Sequence, residues 1–389
     1  MNHIPRGVDI FNLESLLTPD EIELRDSVRE FVNNEFTPSI SENWRLGKFP
    51  KELAHRMGEL GLLGPHLEIP GREPVSKLAA GIIYRELERG DAGIRSFASV
   101  QGCLVMEAIS RYGTEAQKEK WLPKLASGDV IGAFAIAESE HGSDPNQMST
   151  SAVLSNDNYI ISGRKTWTTN GSIADLIIVW ARTASTIQAF LIEPSARGFS
   201  ANDIRGKHGM RISVQSELTF DECIIPKCDA LPGAAGLKSC LVLLNIARYA
   251  IAWGAVGSAE ACFEEAFLHV KNRESFGKPI GSYQLVQEKL ADMATHLSNS
   301  QLFAYNLARL AATDTLTHLQ ISMAKRGNIR SALEVARMAR DLLGANGICD
   351  DCSAFRHMAN LTAQSTTDGT DHIHSLIIGQ ALTGYSAYV

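Results

Sequence analysis

With 389 residues, 44% of them hydrophobic and 21% charged, the chain is long enough to bury a large core and to divide into two or three domains. A net charge of −7, a pI near 5.9 and no Lys/Arg run or basic-aromatic interleaving exclude a nucleic-acid surface. Seven scattered cysteines read as reduced thiols of a cytoplasmic compartment; no signal peptide is read at Met1-Asn2-His3, and Asn245 and Arg248 break the apolar runs at 240–246 and 250–256, so no membrane span is expected.

In chain order, residues 1–130 read as an N-terminal α-helical domain. Thr18-Pro19-Asp20-Glu21 is a capping box with Pro at the first helical position, and Ile22, Leu24, Val28, Phe31 and Val32 continue it as an apolar face. The same period runs through 53–63, 78–87 and 105–112, and Thr114 with Gln117 repeats the cap before Trp121. Over 131–235 the pattern becomes that of a middle β-domain, with short β-rich runs at 131–136, 151–154, 159–162, 176–183, 187–192 and 216–220 and a hairpin turn at Asn156-Asp157-Asn158. Residues 236–389 return to helix at 237–273, 283–313 and 319–343. Gly277-Lys278-Pro279 and Gly344-Ala345-Asn346-Gly347 are the breaks. With a terminal helix these predict a C-terminal four-helix bundle, of a kind whose apolar surface makes oligomer interfaces. The fold class is therefore α+β, with a site expected where the three parts meet.

Three stretches carry candidate chemistry. Phe134-Ala135-Ile136-Ala137-Glu138 runs into His141-Gly142-Ser143-Asp144, and Trp167-Thr168-Thr169-Asn170-Gly171 ends a second strand. On adjacent strands the two could cradle a planar heterocycle. Thr366-Thr367-Asp368-Gly369-Thr370 places a carboxylate where a turn feeds a helix containing Ile373, Leu376 and Ile377, either as a helix cap or as a base. Cys349-Asp350-Asp351-Cys352 has no second pair or histidines at zinc spacing, so no metal site is expected.

The order and wording of these motifs resemble the acyl-CoA dehydrogenase family of flavoproteins, and within it the glutaryl-CoA dehydrogenase branch, over nearly the whole chain. Shared stretches include 91–99 (DAGIRSFAS), Lys165-Thr166-Trp167, 245–254 (NIARYAIAWG) and 273–293 with FGKPI and YQLVQEKLADM. The resemblance implies an FAD-dependent CH–CH oxidoreductase and a homotetramer. It implies an acyl thioester of coenzyme A or of a carrier protein as substrate, and an electron-transfer flavoprotein as acceptor.

It further implies that the flavin edge is held by Phe134, Ile136, Ala137, Gly142, Ser143, Trp167, Thr168 and Thr169. Arg273, Phe276, Gln284 and the turn with Leu343, Gly344 and Gly347 would reach the FAD of a neighbouring subunit, with Thr370 and Tyr388 completing the cofactor contacts. A guanidinium pairs bidentately with a pyrophosphate; a solvated helix-end cation is the alternative for Arg273. Leu241, Leu244, Asn245 and Arg248 would line the thioester channel, with Ser143 and Gly369 adding backbone. Asp368 matches the base that takes the α-proton while a β-hydride goes to the flavin, and its own N–H would polarise the thioester carbonyl. Arg95, Ser96 and Ser99 match positions that meet a distal substrate carboxylate, the alternative for Arg95 being a pair with Asp91 or Glu88.

The chain departs from the family around this centre. Thr367-Asp368 stands where the glutaryl-specific group has Tyr-Glu, Ala247 offers no substitute base, and Ala137, Ala345, Asp371-His372 and Gln380 replace the usual residues. Asp is one methylene shorter than Glu, and catalytic geometry is sensitive to shifts of ångström scale. Three readings follow: oxidation, with loss of CO2, of a glutaryl-like thioester; redox-neutral α-carbanion chemistry such as ring closure on a carrier-bound thioester; and a non-catalytic flavin-binding scaffold.

Overall fold

The structure is a computed structural model and describes residues 8–388. Its N-terminal part is built from α1 (Pro19–Phe31), α2 (Ile40–Leu46), α3 (Leu53–Glu59), α4 (Lys77–Gly90), α5 (Ala92–Ser99), α6 (Glu107–Tyr112) and α7 (Glu115–Ser127). Both capping boxes form: Thr18 Oγ1 accepts from Glu21 N at 3.2 Å and Glu21 answers at Thr18 N at 3.0 Å, and Thr114 and Gln117 repeat the exchange. The run at 53–63 ends early as a helix. Gly61 turns the chain at φ +70°, and Leu62 and Leu63 enter the core from a loop.

Eight strands follow: β1 (Gly132–Ala135), β2 (Ser151–Ser155), β3 (Asn158–Thr169), β4 (Leu176–Arg182), β5 (Ile187–Ile192), β6 (Phe199–Asp203), β7 (Gln215–Pro226) and β8 (Ala230–Ala235). Their sheet order is β6-β7-β3-β2-β4-β5-β8, with β1 parallel to β4. The expected hairpin forms at Asn156-Asp157, with Asn156 at φ +53°. β6 and β8 were not predicted, because Ser, Asn, Asp, Gly and Pro weaken their local β signal and pairing with β7 and β5 supplies the order instead.

The C-terminal part holds α8 (Leu237–Asn272), α9 (Gln284–Ala312), α10 (His318–Leu342), α11 (Ala354–Gln364) and α12 (Asp371–Thr383). α11 has no counterpart in the sequence reading. Its buried face includes His357, Asn360 and Gln364, which hides its apolar period. α8 runs through the middle of the molecule, against α4 on one side and α9 and α10 on the other. Among the described residues it alone is long and apolar enough to cross a membrane, but 78% of its apolar window is buried inside the fold.

Candidate active site

The centre is the loop between α11 and α12. Thr370 is the helix cap, its Oγ1 accepting from Ile373 N at 3.1 Å. This corrects the cap reading of Asp368, which lies two residues earlier at φ +49°, followed by Gly369 at φ +97°. A left-handed backbone at a non-glycine residue is strained and persists only where its surroundings hold it. Here the surroundings are cationic. Arg248 Nε of α8 donates to the Asp368 carbonyl at 2.7 Å, and Lys325 Nζ of α10 donates to the carbonyls of Thr367 and, at 2.6 Å, Gly369. The Asp368 carboxylate itself has no hydrogen-bond partner among the described residues.

Gly369 is required by its φ and by space, since a Cβ there would lie 3.0 Å from His374 Nε2 and 3.1 Å from Arg248 Nη2. Burial lowers Lys325 to about 7, with Asp368 pulling the other way, and lowers His374 to about 3, with Lys325 and Arg248 adding to the effect. Arg248 was expected to line the thioester channel. Besides donating to the loop, it gives Nη1 to Asn245 Oδ1 at 3.0 Å.

Arg95 is 2% exposed and lies in a network joined to the same loop. Its Nε meets Glu88 Oε2 at 2.5 Å, Nη1 meets Ser99 Oγ at 3.2 Å and Nη2 meets Gln364 Oε1 at 2.8 Å. Glu88 also accepts from Gln364 Nε2 at 2.7 Å and from Ser258 Oγ at 3.1 Å. Of the two pairings open to Arg95, that with Glu88 is the one formed. Asp91 instead caps α5 at Gly93 N and accepts from Arg356 and Asn360. Ser99 Oγ in turn donates to Ser96 O at 3.1 Å.

The two β-motifs meet, though not as ladder neighbours. β1 pairs with β4, and the join to β3 is made past its end, by Thr166 N on Ala137 O at 2.9 Å and by buried Lys165 Nζ on Ile136 O and Glu138 Oε1, each at 2.9 Å. Glu138 in turn accepts from Ser149 N and Thr150 N, which closes the turn carrying exposed Gly142 and Ser143. A bulge in β3 places Trp167 at φ +56° with 59% of its surface exposed, and leaves the buried Thr168 Oγ1 without a partner. Phe134 is packed inward against Trp180, while Ile136, Ala137 and Thr169 are half-buried. Burial raises the Cys240 thiol, and Lys165 of β3, Arg248 of α8 and Asp368 of the loop all act on it electrostatically.

The remaining residues are spread along α8 and beyond it. Leu241 is exposed and Leu244 buried on the same turns of α8 as Asn245. Arg273 and Phe276 stand beyond the opposite end of α8, about 37 Å along the helix from Arg248 at 1.5 Å per residue, and both are exposed. Phe276-Gly277, at φ +50° and +80°, makes the two-residue turn between β9 (Glu274–Ser275) and β10 (Lys278–Pro279) and holds the Phe276 ring 95% exposed. Gln284 is exposed at the start of α9. Leu343, Gly344 and Gly347 follow α10, and Tyr388 is half-exposed beyond the end of α12. Sequence reasoning missed Lys325, Gln364 and His374. A lone lysine on a long charged helix carries no signal that it is buried.

The chain matches three family models: Acyl-CoA dehydrogenase, N-terminal domain over residues 18–129, middle domain over 133–223 and C-terminal domain over 234–383. It is 34% identical over 387 residues to the mitochondrial 2-methylacyl-CoA dehydrogenase of Solanum tuberosum, covering 96% of this chain and 92% of that protein. The crystal structure of glutaryl-CoA dehydrogenase from Mycobacterium smegmatis superimposes with a TM-score of 0.96 at 45% identity, covering 98% of this chain and 99% of that one. A glutaryl-CoA dehydrogenase from the same organism in complex with FADH2 gives a TM-score of 0.96 at 42% identity, with the same coverage of each chain.

Proposed function

The chain belongs to the acyl-CoA dehydrogenase family, and from that premise we propose that it is an FAD-dependent acyl-thioester dehydrogenase acting on a glutaryl-CoA-like substrate with Asp368 as its base. The observation that carries the reading is the loop itself. Its three successive carbonyls are drawn back by Lys325 and Arg248, while the Asp368 carboxylate and the N–H groups of Asp368, Gly369 and Thr370 have no acceptor or donor of their own among the described residues. A carboxylate beside free N–H donors can take an α-proton while the donors stabilise the charge that develops on a thioester carbonyl.

FAD, when bound, supplies the acceptor for the β-hydride. The residues suit it: Trp167 is a strained, exposed aromatic platform, Thr168 has an unpartnered buried hydroxyl, and Gly142 and Ser143 present an open turn. Arg273, Phe276 and Gln284 lie too far along α8 and α9 for their own chain's loop, in keeping with service to a neighbouring subunit in a homotetramer. Trp167→Ala is expected to lower FAD retention roughly tenfold, the scale of an aromatic stacking contact, read as flavin per protein after gel filtration. Retention equal to the parent protein would remove the platform role.

Leu241, Leu244 and Asn245 line the thioester path, and Gly369 lets it approach the loop. Arg95 keeps N–H groups beyond the three it uses within the chain, with Ser96 beside it and Ser99 orienting it, so a distal carboxylate finds donors there. After α,β-oxidation a γ-carboxylate is positioned to leave as CO2, and the resulting dienolate needs only a proton. The shorter base and Ala137 favour, as a second reading, redox-neutral carbanion chemistry on a carrier-bound thioester. Mass spectrometry of products from glutaryl-CoA with an artificial acceptor separates the two. Crotonyl-CoA is expected; recovery of unchanged glutaryl-CoA alone would sink the glutaryl reading.

A further inference from the structure

We propose that Lys325 is a positioning residue that clamps the loop on both sides of Asp368 and so aims the base carboxylate; the proposal rests on the functional reading above. Lys325 projects from α10 and is 1% exposed. It forms no ion pair among the described residues, and its ammonium is given to the carbonyls of Thr367 and Gly369, which bracket Asp368. A buried cation without a carboxylate partner is costly, and an apolar side chain of the same length would fill the space. What an apolar side chain cannot do is bond two carbonyls at once. A non-glycine residue in the left-handed region stays there only where its surroundings hold it, and Asp368, at φ +49°, is in it. Arg248 holds the Asp368 carbonyl, so the loop is gripped from two helices at once.

The charged and titratable groups that act on Lys325 electrostatically are Arg248 of α8, Arg95 of α5, Asp371 and His374 of α12, and Asp368 of the loop. Burial and the two arginines lower its proton affinity, and the two aspartates raise it. Charged, it makes ion-dipole bonds to both carbonyls; neutral, it makes ordinary ones of roughly half the strength. The sign for folding runs the other way. Its affinity in the folded protein, about 7, is below the ordinary 10.5, so between those values the unfolded chain binds more protons and the contribution of Lys325 to stability rises with pH. A clamp therefore weakens over the window in which this group favours folding more, which separates aiming the loop from stabilising the fold.

The test uses FAD-loaded protein and amide hydrogen exchange of the 365–374 segment, whose protected amides include Thr367, bonded to Gln364 O, and Asp371, bonded to Ser365 O. Lys325→Met is expected to speed exchange there about tenfold or more while α8 and α9 keep their protection, and to slow thioester-driven flavin bleaching without weakening thioester binding. Lys325→Arg is expected to restore part of the protection. Unchanged exchange in Lys325→Met overturns the proposal. Should that variant not fold with FAD, the wild-type protein serves: after correction for intrinsic rates, protection of Thr367 and Asp371 is expected to fall severalfold from pH 6 to pH 9, and constant protection overturns the proposal. The functional reading fails separately, through an Asp368→Asn variant that still bleaches its flavin while the loop exchanges as before.

Discussion

Asp368→Asn is expected to keep its FAD and to lose flavin reduction by a thioester by about a thousandfold, within the range assigned to a positioned general base. The substitution is chosen because it changes little else. Asn tolerates the left-handed backbone better than most residues, so φ +49° at this position remains accessible, and the Arg248 and Lys325 bonds go to main-chain carbonyls that the substitution leaves in place. Anaerobic stopped-flow absorbance of the oxidised flavin reads the rate, and the flavin-to-protein ratio reads retention. A rate within tenfold of the parent protein would mean that another group takes the α-proton. The position before Arg248 on α8 is Ala247, so no carboxylate stands at that point of the helix.

The second large effect lies in the scaffold. Gly257→Ala would place a Cβ 1.9 Å from the Arg85 carbonyl oxygen and 3.0 Å from Arg89 N, where α8 crosses α4. Both obstacles are main-chain atoms of a buried helix, so the two helices must separate, and overpacking of this kind costs about 3 kcal/mol or more. The damage would not stay local. Gly254, one turn earlier, already lies so close that a Cβ would be 2.2 Å from Glu88 Oε2, and Glu88 holds Arg95 and Gln364. Gly379→Ala in α12, where nothing lies within 4 Å, is the control. It is expected to stabilise by about 0.5–1 kcal/mol through helix propensity. Chemical denaturation of the two variants side by side checks both values; a Gly257→Ala protein as stable as its parent would contradict the close crossing.

The helices were legible because their signals are local. Capping boxes at Thr18 and Thr114 and apolar periods along α8, α9 and α10 are written in neighbouring residues, and the ends of those three helices fall within a residue of the expected ones. Strands β6 and β8 were not legible, since their order comes from partners distant in sequence. The same distinction runs through the site. Asp368, Arg95 and Trp167 sit in short motifs that can be matched one by one. The pairing of Arg95 with Glu88 was one of two open alternatives, and only the packing of α5 against α4 selects it. Lys325 reaches the loop from α10, Gln364 joins Arg95 and Glu88 from α11, and Arg248 of α8 supplies a donor to the Asp368 carbonyl, all contacts between residues distant in sequence.

Anaerobic mixing of the FAD-loaded protein with a panel of thioesters, glutaryl-CoA first, tests the central claim most directly. The oxidised flavin band is expected to bleach in a single turnover with one equivalent of α,β-unsaturated thioester formed. A flavin that stays fully oxidised with every coenzyme A and carrier-bound thioester would contradict it.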